Sequence, residues 1–451
     1  MEKILIANRG EIASRIIRTC RKLGIRTIAV HSEADSGLPF VQEADESFEI
    51  GPGPVPQSYL KGDEIIALAK REGADAVHPG YGLLSENASF ARKVQAAGLS
   101  FIGPAAGVIE KMGDKIEARR AMIHAGVPVV PGTEEGVATL EEALQAADQI
   151  GYPVMMKASA GGGGIGMVRC ENEQALSRNF EGVKKRAMSY FGDDRVFIEK
   201  FIDDARHIEV QIFGDSHGNV VHLFERNCSV QRRNQKVIEE SPSPAFPEQA
   251  KARMLSAAVE AGKAVGYTNA GTVEFIVGPD HEFYFLEMNT RLQVEHPVTE
   301  AVTGFDLVEW QIEVASGREL PVKDQEKIKS AGHAIEYRIY AEDPEKFLPS
   351  PGKITQLVLP EGEGVRIDRG YTEGDTVTPF YDPMIAKVII SGSSREEAIR
   401  RSEQFFGEAH AAGVRTNIPL FASFAGSEEF AEGNYTTQVL AGWQAKKKEE
   451  V

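Results

Sequence analysis

Cysteine is scarce in this 451-residue chain: Cys20, Cys170 and Cys228 are odd in number, far apart and without CxxC spacing. They supply neither a disulfide framework nor a thiolate metal site, and a reducing compartment suits them. Long apolar runs are missing as well. Met1-Glu2-Lys3 opens onto only four apolar residues before Asn8-Arg9-Gly10, too few for the core of a signal peptide, and no run of eighteen follows. A cytoplasmic protein without a membrane segment is expected. Positive charge is in deficit, with 50 Lys and Arg against 67 Asp and Glu, a net charge of −17. Nucleic acid and anionic membranes repel such a surface, so an anionic substrate must meet a local basic pocket. Internal repeats and low-complexity linkers are absent.

What is present is a hydrophobic fraction of 42%, enough for two or three compact domains with their own cores. The apolar run Ile4 to Ala7, a helix-like segment from Glu11 to Leu23 closed by Gly24, and a second run from Ile25 to Val30 read as a βαβ unit. Ala74 to Val77 is a further strand, ending in the loop His78-Pro79-Gly80-Tyr81-Gly82, where parallel sheets bind ligands. Helices are expected from Asp114 to Ala125 and from Leu140 to Gln149, then a strand from Tyr152 to Lys157. Ile208 to Phe213, Val220 to Phe224, Thr272 to Val277 and Glu282 to Leu286 alternate like antiparallel strands of a mixed sheet. From Ala331 a third, strand-rich region runs to Trp443, and Lys446 to Glu450 reads as a solvated tail.

The glycine loop Ala160-Gly161-Gly162-Gly163-Gly164-Ile165-Gly166 follows Lys157 and lets backbone N–H groups approach an anion such as a triphosphate. A flexible linker is the plainer alternative, but apolar strand-like segments flank the loop. Its residue order is neither a Walker loop nor a dinucleotide fingerprint. Glu274 and Glu287 lie on two segments separated by Gly278-Pro279-Asp280, which reads as a hairpin. An even loop centred between Asp280 and His281 would set the two carboxylates opposite each other, a repulsion that Mg²⁺ would reverse. An odd loop would put them on opposite faces. Beyond Glu287 the odd positions Asn289, Arg291, Gln293 and Glu295 form a polar row suited to a metal, a planar oxyanion and a proton. Fully extended, the stretch from Glu287 to Glu295 spans roughly 26 Å, so the chain must bend if all act together. Gln231-Arg232-Arg233-Asn234-Gln235-Lys236 is a cationic cluster, and His207, Glu209 and Gln211 share one strand face. Cys228 has no nearby His in sequence to activate it and reads as a buried structural thiol.

Together, Ala7-Asn8-Arg9-Gly10-Glu11-Ile12-Ala13, His78 to Gly82, Gln231-Arg232-Arg233, Glu287-Met288-Asn289-Thr290-Arg291 and Gln293-Val294-Glu295-His296-Pro297 closely resemble the biotin carboxylase family of ATP-grasp enzymes, from residue 1 to about 445. The resemblance implies an α/β and α+β multidomain fold. A Rossmann-like domain covers 1–113, an ATP-grasp domain 114–325 with a mobile glycine-rich lid at about 131–203, and a strand-rich domain 331–445. It implies that Lys115 and Lys157 hold ATP phosphates, with Gly162, Gly163 and Gly164 closing over them. Adenine would sit by Glu199, Lys200 and Ile202, and the nucleoside by His207 and Glu209. Glu274, Glu287 and Asn289 would hold Mg²⁺, or Mn²⁺ in its place. Bicarbonate would meet Arg291, Gln293 and the N–H of Val294, with Glu295 as base and Lys236 holding carboxyphosphate. Phosphate from that intermediate would take the N1 proton of biotin. Arg338 would steady the ureido oxygen, unless it pairs with Glu336 on its own strand face, and Tyr81 would line the substrate site. Asn234 stands where His is usual, and Ala160 and Ile165 where Gly and Arg are frequent.

No Met-Lys-Met biotinylation motif occurs, and Met155-Met156-Lys157-Ala158 is a lookalike in a strand. Biotin is thus expected on a carrier protein, with a separate carboxyltransferase and with this chain as a homodimer. Acetyl-CoA carboxylase is the first choice of parent complex. Propionyl-CoA, methylcrotonyl-CoA or urea carboxylase are alternatives, as are another ATP-grasp ligase and a silent regulatory protein that binds ATP or the carrier.

Overall fold

The computed structural model describes residues 1–158, 167–192 and 194–449. Gly162, Gly163 and Gly164, with Ala160 and Ile165, lie outside the described residues. The continuous apolar run at the start folds as read. Strand Lys3–Ile6 is central in a five-stranded parallel sheet, flanked by Arg26–His31 and Glu46–Glu49 on one side and Ala76–His78 and Ser100–Phe101 on the other. Ile4, Leu5 and Ile6 are fully buried, as a strand covered on both faces requires. Helix Gly10–Lys22 follows, and Gly24 leaves it at φ +70°. The strand order reverses between Lys3–Ile6 and Ala76–His78, which opens a crevice between the loops that follow them. Asn8 bridges that crevice, donating Nδ2 to the carbonyls of Pro79 (2.6 Å) and Tyr81 (2.8 Å). Gly80 sits there at φ +61°, and a Cβ on it would lie 2.9 Å from Asn8 Nδ2.

Three antiparallel strands, Met167–Cys170, Val154–Ala158 and Val196–Lys200, form a small separate sheet packed by helices Leu140–Ile150 and Glu173–Phe191. Thr139 and Glu142 close a reciprocal capping box on the first helix.

The rest is organised by one eight-stranded sheet. Its order is Phe283–Asn289, Asn269–Val277, Arg206–Gly214, Val220–Arg232, Gln235–Ser241, His333–Tyr340, Met384–Gly392 and Val365–Arg369. Every neighbouring pair is antiparallel, so the mixed sheet expected from the sequence is not formed. Three of its seven pairings are local hairpins, which need no parallel crossover. The long strands after residue 331 extend this same sheet, because His333–Tyr340 pairs directly with Gln235–Ser241. The run Lys446 to Glu449 is helical, within Val439–Glu449, and not a loose tail: Lys446 pairs with Glu429 at 2.8 Å and Lys447 lies over the Trp443 ring.

Glu240, fully buried on Gln235–Ser241, ties the terminal helices to the sheet. His333 Nε2 lies 2.5 Å from Oε2, Arg395 grips both oxygens at 2.8 and 3.1 Å, and Tyr435 donates its hydroxyl. Burial would raise this carboxyl, but His333 and Arg395 outweigh it and bring the pKa to about 2. A depressed carboxyl stabilises the fold above its unfolded pKa of about 4.3 and loses that contribution as pH falls through its folded value. Glu240→Gln is therefore expected to lower stability by about 3 kcal/mol at neutral pH, with the difference shrinking from about pH 4.3 toward 2. Urea unfolding of both proteins across that range checks this.

Candidate active site

Lys236 begins just after the two-residue turn that joins Val220–Arg232 to Gln235–Ser241. Arg233 and Asn234 in that turn have φ of 49° and 65°, the left-handed pair that a tight hairpin demands and that Asn tolerates. Lys236 Nζ donates to three carboxylates: Glu209 Oε2 at 2.6 Å, Glu274 Oε1 at 2.8 Å and Glu295 Oε1 at 2.8 Å. They come from strand Arg206–Gly214, strand Asn269–Val277 and the residue before helix His296–Thr303. Burial opposes the charge on Lys236, yet these neighbours push its pKa well above the ordinary lysine value. Burial likewise raises Glu274 and Glu295, but Lys236 with His207 brings Glu274 below its ordinary range, and Lys236 with Arg338 does the same for Glu295. Glu209 shifts the other way, raised by burial and by the charge of Glu295. Its oxygens are taken by Lys236 and by Arg226 Nε at 2.6 Å.

Glu274 and Glu287 do pair across their hairpin, though by a different route from the one the sequence suggested. Val277 opposes Phe283, so the loop holds five residues, 278–282, an odd number that would put the carboxylates on opposite faces. A bulge at Leu286 shifts the register by one residue and restores Glu274 to a place facing Glu287. Burial and the Glu274 charge raise the Glu287 carboxyl, a repulsion that a divalent cation would relieve. Asn289 donates Nδ2 to Glu274 Oε1 at 2.8 Å and accepts from Arg291 Nη2 at 3.0 Å. Two carboxylates and an amide at one end of a hairpin fit Mg²⁺ or Mn²⁺.

After Asn289 the strand ends and the chain bends into helix His296–Thr303, as the length of the polar row requires. Arg291 Nη1 donates to Gln293 Oε1 at 2.8 Å, and Gln293 Nε2 donates to Glu274 Oε1 at 3.0 Å. The Val294 carbonyl accepts from Lys387 Nζ at 2.7 Å. Arg338, on His333–Tyr340, does not pair with Glu336. Its Nη2 lies 3.0 Å from Glu295 Oε2 and 2.5 Å from Glu239 Oε1. Tyr81 reaches Glu11 with its hydroxyl, with Lys387 Nζ 6.0 Å from its ring centre.

At the small sheet, Lys157 pairs with Glu199, and Arg119 lies 3.6 Å from the other Glu199 oxygen. Burial raises Glu199, but Lys157 and Arg119 bring it below its usual value. Lys115 feels Glu287, Lys157 and Glu199, though burial dominates and lowers its pKa. Lys200 donates to the carbonyls of Gly151 (3.0 Å) and Tyr152 (3.1 Å), and Ile202 lies beside Gly278.

The cationic cluster does not act as one patch. Gln231 bonds His207 Nδ1 at 3.0 Å, whereas Arg232 is spent on buried Glu342 and Arg233 reaches the Lys346 carbonyl at the surface. Asn234 is exposed on the turn. Cys228 is buried, its thiol raised well above the ordinary value chiefly by burial, in keeping with an inert role. Sequence reasoning missed Arg226, which is fully buried and binds Glu209, Gln211, Thr272 and Thr299. An arginine amid the apolar positions of a strand was the available signal. Glu86 was missed too. It accepts from Arg291 Nε at 2.9 Å across a separation of 205 residues, which no local pattern reveals.

Comparisons with known proteins agree with this geometry. Residues 1–109 match the biotin carboxylase N-terminal domain, residues 114–323 the ATP-binding domain of the carbamoyl-phosphate synthase L chain, and residues 336–442 the biotin carboxylase C-terminal domain. Biotin carboxylase 2 of Bacillus subtilis (strain 168) is 57% identical over 438 residues, covering 97% of this chain and 98% of that protein. The crystal structure of the biotin carboxylase subunit of pyruvate carboxylase superposes with a TM-score of 0.85 at 48% identity, covering 98% of each chain. The biotin carboxylase domain dimer of Hydrogenobacter thermophilus 2-oxoglutarate carboxylase, solved with MgADP, ADP and bicarbonate, superposes with a TM-score of 0.94. It is 46% identical, with 98% of this chain and 97% of that chain covered. With matched domains in this order and a relative of such identity along nearly its whole length, the chain belongs to the biotin carboxylase family of ATP-dependent enzymes.

Proposed function

We propose that this biotin carboxylase performs the first half-reaction of acetyl-CoA carboxylase, and so serves fatty acid synthesis. The biotin it carboxylates is carried on a biotin carboxyl carrier protein, a separate carboxyltransferase takes the carboxyl group onward, and the enzyme works as a homodimer. The observation that carries the mechanism is Glu295 held between Lys236 and Arg338, which stand on neighbouring strands.

Lys115 and Lys157 neutralise the triphosphate, with adenine against Glu199, Lys200 and Ile202 and the nucleoside near His207. Glu209 keeps Lys236 in place from beneath. Glu274, Glu287 and Asn289 would hold Mg²⁺, which supplies charge neutralisation between the phosphates when bound. Arg291, Gln293 and the Val294 N–H orient bicarbonate beside Glu295. The two cations keep Glu295 ionised. As Lys236 turns toward the incoming anion, Glu295 loses its nearest positive charge, becomes a stronger base and takes the bicarbonate proton; the freed oxygen attacks the γ-phosphate, ADP leaves, and Lys236 holds the carboxyphosphate formed. Carboxyphosphate then yields CO₂ and phosphate, phosphate takes the N1 proton of biotin, and Arg338 steadies the charge on the ureido oxygen. Tyr81 forms part of the wall on that side.

Phosphate release by the purified protein with ATP and Mg²⁺ is expected to require bicarbonate and to rise with free biotin. Glu295→Gln should reduce the bicarbonate-dependent rate by about 10²–10⁴-fold, and Lys236→Gln by about 10²–10³-fold. Arg338→Gln should abolish the stimulation by biotin. Near-normal rates in the first two variants would remove Glu295 and Lys236 from the mechanism.

The acyl acceptor is read separately, by isolating the native complex on this chain and following labelled bicarbonate into acetyl-CoA, propionyl-CoA, methylcrotonyl-CoA, pyruvate or urea. Label in acetyl-CoA supports the assignment. Label confined to any other acceptor replaces it.

A further inference from the structure

Beside the site lies a pair of acids that the chemistry above does not use. Strands Gln235–Ser241 and His333–Tyr340 run antiparallel with Glu239 directly opposite Glu336. Opposed residues share a face, with Cβ atoms about 4.5–5.5 Å apart. Both side chains are fully buried. None of the four carboxyl oxygens has a well-formed hydrogen bond, and the two acids differ in their ion pairing: Glu239 Oε1 lies 2.5 Å from Arg338 Nη2, whereas Glu336 forms no ion pair among the described residues.

The groups that face the pair fix its charge. Glu295 approaches from the residue before helix His296–Thr303 and Lys387 from strand Met384–Gly392; Lys387 is in turn felt by His296 and shared with Glu11 of helix Gly10–Lys22, 3.3 Å from its Nζ. Lys236 and Cys228 lie on the far side of Glu239, and Tyr340 lies next to Arg338 on its own strand. Burial and Lys387 keep His296 neutral, and burial keeps the Cys228 thiol and the Tyr340 hydroxyl protonated. Four carboxyls, Glu239, Glu336, Glu295 and Glu11, thus face two whole cations, Arg338 and Lys387, plus a share of Lys236. A fully buried carboxylate without a hydrogen bond is too costly to persist as an anion, and two adjacent acids do not both ionise readily.

We propose that Glu239 and Glu336 share a single proton and position Arg338, neutral Glu336 acting as the spacer and ionised Glu239 as the counter-charge that holds the guanidinium toward biotin. Burial raises Glu336 well above the usual carboxyl range and Glu239 to about 7, in the same direction. Loss of the shared proton would put a second negative charge beside Arg338 on its own strand face and draw the guanidinium inward. The pair is therefore a built-in source of alkaline sensitivity in the biotin step. This rests on the role given to Arg338 above, and the experiment separates the two.

Infrared spectra at about pH 8, where ordinary carboxyls are ionised, should show the C=O band of a protonated carboxyl. Glu336→Gln should lose it, whereas Glu239→Gln, which leaves the proton on buried Glu336, should keep it. No such band in the unsubstituted protein, or a band that survives Glu336→Gln, overturns the shared proton whether or not the variants fold well. In kinetics, kcat/KM for biotin should fall on the alkaline side in the unsubstituted enzyme, and Glu336→Gln, a permanent mimic of the neutral acid, should flatten that fall. Glu239→Gln should raise KM for biotin about tenfold, with a smaller change in the KM for ATP. A Glu336→Gln profile that keeps the same alkaline fall overturns the positioning role. If instead Arg338→Gln leaves the biotin kinetics intact while the band persists, the shared proton stands and the role assigned to Arg338 has failed.

Discussion

One ammonium group organises this molecule. Lys236 gathers Glu209, Glu274 and Glu295 from three elements that are remote in sequence. Without it, buried carboxylates would face each other uncompensated, a cost of several kcal/mol for each ion. Arg226 supports the arrangement from below, and Arg338 extends it to the next strand. The centre of the site is a lattice of alternating charges on the large sheet, in which Glu209, Glu274 and Glu295 are each held by at least one opposite charge. Such a lattice holds its geometry before substrate arrives. It also makes the basicity of Glu295 depend on where Lys236 points, so that the acid–base chemistry answers to the binding of an anion.

Much of this was legible in the sequence, for identifiable reasons. The apolar run at residues 4–7 and the helix after it could only be a buried βαβ unit, and the structure has it within a residue or two. The row Asn289, Arg291, Gln293, Glu295 spelled out polar groups at a spacing that forces a bend, and the chain bends there. The pairing of Glu274 with Glu287 was legible as a tendency but not as a mechanism. Sequence left the turn open between even and odd; it is odd, and the register is recovered by a bulge at Leu286. No residue type marks a bulge when the extra residue is an ordinary apolar one.

What stayed hidden is long-range or shared. Glu86 meets Arg291 only because a loop of the parallel-sheet domain leans on the other sheet. The run from Gln231 to Lys236 looked like a cationic patch because sequence shows charges without their partners. Glu342 takes Arg232, three carboxylates take Lys236, and little free positive charge is left. In the same way strand alternation could offer only Glu336 as an alternative partner for Arg338, since the pattern in one strand says nothing about the strand beside it. Glu239, across the register, is the residue that meets Arg338.

The continuity of the large sheet sets one more condition on how the enzyme works. Lys236 and Arg338 are carried on strands joined rung by rung, Ile238 to Tyr337 and Glu239 to Glu336. The station proposed for making the unstable mixed anhydride and the station proposed for spending its CO₂ therefore stand on one continuous sheet, while the strands bearing Lys157 and Glu199 form a separate sheet. The small sheet contributes no strand to that surface, so the gap that CO₂ must cross is set by the large sheet alone. Short-lived cargo is handed over a constant distance, and its loss to solvent is set by geometry already present in the folded chain.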